Sequence, residues 1–155
     1  MLDPTSSDAC FSYSIKRYFI DHVKGSLGVP VAFDANIVEP YLNDKTIVRW
    51  VTVLKGDKRV KKFSLSDSLV SIYCCTRQDP EGYELSKLQD EIVALLNGEH
   101  DTITTPRNVI PIYDAAHMKV GALTVGDDLI EGKKGVTPDG TNYKTITIHL
   151  RYASK

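Results

Sequence analysis

Two adjacent thiols, Cys74 and Cys75, stand in a strand-like apolar run, with Asp79 four residues on and His149 far along the chain. A cysteine nucleophile needs a base within hydrogen-bond reach and an acid to orient that base, so these residues are the set such chemistry would use. Nothing in their spacing brings them together, and nothing beside either thiol marks it as a stabilised anion. The chain has no GxSxG, HExxH, Walker A or GxGxxG pattern, and Gly132-Lys-Lys-Gly is too short to cradle a phosphate. Asp127, Asp128 and Glu131 offer carboxylates to a divalent cation but lack the alternating acids of a calcium loop, and a solvated acidic loop is the plainer reading. Residues 56–62, GDKRVKK, carry Lys58 and Arg59 in a basic cluster that suits either phosphate or a solvated hairpin tip. His22 lies at the edge of an apolar helix side with no partner at metal or triad spacing. The chain reads as a protein without catalytic residues, metal or cofactor.

The elements that would position these residues centre on 63–98. Residues 69–75 are β-branched, aromatic and small, a strand with Val70, Ile72 and Cys74 on one face. The spacing then predicts a helix over 79–97. Asp79 is its N-cap, Pro80 its first residue, and Leu85, Leu88, Ile92 and Leu95 its apolar stripe. Ser86, Lys87, Gln89, Asp90 and Glu91 fall on the remaining surface, and Gly98 ends it. An earlier helix runs from a cap at Ser6, Ser7 or Asp8 to about His22 or Lys24, with Phe11, Ile15, Tyr18, Phe19, His22 and Val23 on its apolar side.

Strands are expected at 29–34, 47–54, 109–113, 119–125 and 143–152. Pro30 and Pro111 both suit strand starts, edges or bulges. Arg49, on an otherwise apolar strand face, requires an acid partner, a wet edge or a neighbouring chain. The last strand alternates most cleanly: Ile146, Ile148, Leu150 and Tyr152 against Thr145, Thr147, His149 and Arg151. Residues 35–45, 56–62 and 126–142 read as polar excursions, the last too long for a tight hairpin although Pro138-Asp-Gly marks a turn at its far end. The element order predicts one α+β domain over 1–155, a mainly antiparallel sheet with two helices packed on one side and a long hairpin-like loop.

The chain's 155 residues suit a single domain with a real core, and 42% apolar with 25% charged residues is ordinary globular composition. A formal charge of −1 gives no general attraction to nucleic acid. No apolar run is long enough for a membrane span, and the N-terminus lacks a secretory pattern, so a cytosolic origin is expected. Cysteines that are odd in number, with neighbours on opposite strand faces, point to reduced thiols.

A leading helix is followed by VAFDANIVEPYLNDKTIVRWVTVLKGD, then SLVSIYCCTRQDPEGYELSKLQDEIVALL, then the alternating YKTITIHLRY. This series resembles the tail terminator (tail-completion, minor tail protein U-like) family of long-tailed bacteriophages, most tellingly at Y-C-C-T-R-x-D-P-E-G-x-E-L. The resemblance implies a structural virion protein, neither an enzyme nor a cofactor binder. It would form a homohexameric ring on the head-proximal end of the tail tube, stopping polymerisation and presenting a surface to the head–tail connector protein. Its partners would be its own copies, the tail tube protein and the connector, and DNA would pass through the lumen without being read. Its place would be the virion tail, after assembly in the host cytoplasm. The 126–142 loop then maps to subunit or tube contact. With it go Asp127, Asp128, Glu131, Lys133 and Lys134, joined by Arg49, Lys58 and Arg59. The alternatives are another neck or tail-tube ring protein, or, in a different class, a regulatory α+β domain that binds a small ligand.

Overall fold

Ser7 opens the first helix, α1 (Asp8–Phe19), its hydroxyl oxygen accepting from the Cys10 N–H at 3.4 Å. The computed structural model describes residues 7–34, 44, 46–61, 64–97, 109–125 and 130–152, with backbone alone at 57–61, 64–66, 97, 109 and 152. The helical path continues past Phe19 as a π-helical segment, Ile20–Ser26, which carries it beyond the expected end. Phe11, Ile15, Tyr18, Phe19 and Val23 are buried as the spacing requires, and the His22 ring lies 4.5 Å from that of Tyr18.

The strands are β1 (Val31–Phe33), β2 (Arg49–Lys61), β3 (Ser64–Thr76), β4 (Val109–Tyr113), β5 (Lys119–Val125), β6 (Ile130–Glu131), β7 (Gly135–Val136) and β8 (Asn142–Tyr152); α2 (Tyr83–Asn97) lies between β3 and β4. They form one sheet in the order β1-β2-β3-β8-β5-β4, with β6 and β7 also on β8. Only β1 and β2 pair in parallel among the described strands. Residues directly opposite share a face. The pairs Val53↔Ile72, Ile72↔Ile146, Val70↔Ile148 and Val125↔Leu150 therefore line up one apolar face across four strands. Both helices cover that face: Phe11, Ile15 and Phe19 from α1 and Leu85, Leu88, Ile92 and Leu96 from α2 join these residues in a single core. This is the expected α+β architecture. No helix of the described residues is long and apolar enough to cross a membrane.

Pro111 lies in the edge strand β4, with a register shift beside it between Ile112 and Tyr113. An edge strand offers unpaired backbone groups to other chains. Here α1 packs over it: the Tyr113 N–H donates to Ser14 Oγ at 2.9 Å, and the buried Ser14 hydroxyl donates to the Cys10 carbonyl at 2.7 Å.

Four details depart from the sequence reading. The second helix begins at Tyr83, not Asp79, because Asp79-Pro-Glu-Gly closes a turn first, the Gly82 N–H donating to the Asp79 carbonyl at 3.1 Å. Proline at the second position of such a turn is as favourable as proline at a helix start, and Gly82 at φ +76° settles the choice. Leu96, not Leu95, completes the buried stripe, and Gln89 is buried at 5% exposure where a surface residue was expected. Residues 56–61 are strand within β2, not a hairpin tip. Residues 130–142 are not an excursion. β6 pairs with Ile146 and Thr147, and β7 with Asn142 and Tyr143, so this stretch lies along β8 as an interrupted partner strand. Gly98 and residues 35–43 lie outside the described residues.

Candidate functional site

The thiol set does not assemble. Cys74 faces the core and Cys75 the opposite face, both fully buried. His149 is opposite Leu69, six residues along β3 from Cys75, or roughly 20 Å at strand rise. Its Nε2 lies 3.4 Å from the Asp67 carboxylate instead. Burial pushes the Cys74 thiol up to about 12, with Lys144 pulling weakly the other way. Burial, with Cys74 beside it, likewise raises Cys75 against the pull of Arg77. Neither is poised as a nucleophile.

Asp79 serves the backbone instead. Its carboxylate accepts from the N–H groups of Glu84 (3.3 Å) and Leu85 (2.9 Å) and from the Thr76 hydroxyl (3.1 Å). It thus caps α2 from a turn upstream, while Asn142 Nδ2 donates to its carbonyl at 2.6 Å and ties the turn to β8. Desolvation opposes the charge, but the N–H groups of Leu85 and Glu84, the Thr76 hydroxyl and the nearby Lys134 ammonium outweigh it and hold the carboxyl below its ordinary value.

Among the described residues no group of three His, Cys, Asp or Glu side chains is placed to hold a metal ion. Asp127 and Asp128 lie outside the described residues, and Glu131 is exposed on β6. Arg49 finds its acid within the chain, Glu91 of α2 at 3.8 Å. Lys58 and Arg59 stand in β2 opposite Ser68 and Asp67. Lys133 and Lys134 are exposed between β6 and β7, and the Lys134 ammonium leans over Gly82, 3.2 Å from where a Cβ would stand. The residues expected to make subunit or tube contacts are therefore dispersed over several parts of the surface.

Two corners were not legible in sequence. At one, the β4–β5 turn folds against α1: the Asp114 carboxylate accepts from the N–H groups of Ala116 (2.9 Å) and Met118 (3.0 Å), and His117 takes φ +62°. The His117 ring thereby sits 5.0 Å from that of Tyr13, which meets Tyr113 edge-on at 6.3 Å, and the Arg17 guanidinium lies 4.0 Å over the Tyr113 ring. A groove of about 240 Å³ opens there between Ala9, Cys10, Tyr13, Asp114, Ala115 and His117. At the other corner Tyr83 and Val136, 69% and 60% exposed, stand beside the Asp79 turn. The only advance signal was Asp114, a residue that favours such turns. The groove draws on segments a hundred residues apart.

The sheet face away from the helices carries Leu69, 41% exposed, with Ser71, Tyr73, Thr145, Thr147 and His149 half-buried around it. Towards its β2 side, Trp50 is buried under the Arg77 guanidinium, 4.7 Å over its ring.

No protein-family model matches the chain, and no curated protein matches it by sequence. By fold it is similar to a solved structure whose name states no function, at a TM-score of 0.61 and 10% identity, covering 96% of this chain and 97% of the other. At that identity the likeness speaks for the fold alone.

Proposed function

We propose that the chain is a structural protein of the tail terminator kind, assembling as a hexameric ring that closes the head-proximal end of a phage tail tube and offers a joining surface to the head connector. The observation that carries this reading is the Tyr73–Leu85 passage on which the resemblance rests. Its distinctive residues all shape the backbone or the core. Cys74 fills the core, Asp79 caps α2, Gly82 supplies the positive φ, and Leu85 begins the buried stripe. A motif spent on shaping a strand-to-helix corner suits a protein that works by its form. The inert thiols and the scattered titratable groups fit the same reading.

The test is to add purified protein to polymerising tail tubes and measure tube length by electron microscopy. Arrested tubes bearing one extra density at one end are expected. Tubes of unchanged length with bare ends at saturating protein would contradict the proposal.

A further inference from the structure

We infer that the groove beside Tyr13 is one half of a head-to-tail contact between copies of this chain, and that Tyr83 of a second copy fills it. The inference rests on the ring reading, since a ring requires two different surfaces on every subunit. The groove's 240 Å³ falls below the roughly 300–1,000 Å³ of small-molecule sites, a size for one large side chain. Its lining is mainly apolar or aromatic, with Cys10 and Ala115 beside the Tyr13 and His117 rings. Its walls are fixed on both sides: α1 by the Ser14–Tyr113 bond, and the turn by the Asp114 carboxylate.

The opposite corner offers the matching projection. Tyr83 is the most exposed large apolar residue among those described, and the capped start of α2 holds its backbone rigid. Tyrosine anchors contacts well because it gives a large area for only two rotatable bonds. Tyr83 cannot serve its own groove. Val136, beside it, pairs with Asn142 at the start of β8, whereas the β4–β5 turn lies past the Tyr152 end, where Leu123 pairs. Eleven residues of strand separate them by roughly 35 Å.

The charges agree in sign. Glu81 and Glu84, both exposed, stand on either side of Tyr83; Lys16, Arg17 and Lys119 surround the groove. The groove's own acids are engaged, Asp114 by its turn and Asp21 by Arg17 at 3.8 Å. At the Tyr83 corner Lys134 is drawn towards Asp79, which leaves Lys133 as the exposed charge of opposite sign.

Cys10 in the groove makes the contact testable by cross-linking. The Tyr83→Cys variant, treated with oxidised glutathione, should give a ladder of chains joined between position 83 and Cys10, identified by peptide mass. Adding Cys10→Ser should abolish the ladder, and the unaltered chain should give none. A second test uses two folded variants, Tyr83→Ala and Ala115→Trp, the latter filling the groove. Each alone should lose at least tenfold in self-association, while their mixture should form dimers and nothing larger. Symmetric 83–83 links, absence of any 83–10 link, or a mixture that stays monomeric would overturn the inference. An 83–10 ladder without closed rings would leave the contact standing and sink the ring reading; rings that persist in Tyr83→Ala would do the reverse.

Discussion

Asp79 and the two thiols matter most at the scale of single residues, because one short passage holds both the chain's best nucleophile candidates and its best helix cap. Asp79→Ala removes an acceptor from two helix N–H groups and a hydroxyl, and should cost roughly 1–2 kcal/mol in urea unfolding. Because the folded carboxyl titrates below its ordinary value near 3.8, its contribution is complete above that pH and fades as pH falls through the folded value. The gap between the native protein and Asp79→Ala should therefore be constant from pH 5 to 8, within about 0.3 kcal/mol, and narrow below about pH 4. A gap unchanged down to pH 2 would show that the charge is not what caps the helix. The buried thiols predict a second result: a thiol reagent at pH 8 should modify Cys10 in the folded chain and leave Cys74 and Cys75 untouched until unfolding. That Asp79 is a cap was readable from its place before Pro80. That it caps from outside the helix was not, because Pro80 and Gly82 satisfy a turn and a helix start equally well.

At the scale of elements, α1, α2, β3, β5 and β8 were legible because each writes its period in apolar residues. What escaped was structure held by backbone pairing. β6 and β7 are two residues each, set among glycines and lysines, with no alternation to announce them. Their signature is steric: a Cβ on Gly135 would fall 2.4 Å from Tyr143 Cζ, so the Tyr143 ring lies directly over the glycine of its cross-strand partner. Gly135→Ala should destabilise the fold by about 1–3 kcal/mol through this clash. Tyr143→Ala in the same chain should recover part of the loss, so that the double variant is more stable than the two single effects predict. Additive losses in urea titrations would mean that Gly135 matters only for its backbone freedom. The turn after β7 was better marked: the Thr137 N–H donates to the Thr141 carbonyl at 2.9 Å across Pro138, Asp139 and Gly140, the last at φ +86°. Residues 56–61 were misread for a related reason. Their charges suggested a tip, yet pairing with β3 holds the backbone extended whatever the side chains.

For the whole molecule, the expectation of one single-faced sheet with both helices on it came from counting apolar faces, and that count transfers well from sequence to structure. The surface does not follow from such a count. The Tyr13 groove joins α1 to a turn a hundred residues later, and the Tyr83 corner joins α2 to β7, so each exists only once the sheet has set its neighbours. Two unlike corners at opposite ends of one long strand are what a closed ring of identical chains would use, and the central claim is that such a ring forms. Light scattering over a concentration series, with negative-stain images of the largest species, tests it most directly. Closed six-membered rings, free in solution or seated on tube ends, are the predicted result. A stable dimer that neither grows with concentration nor binds tail tubes would contradict it.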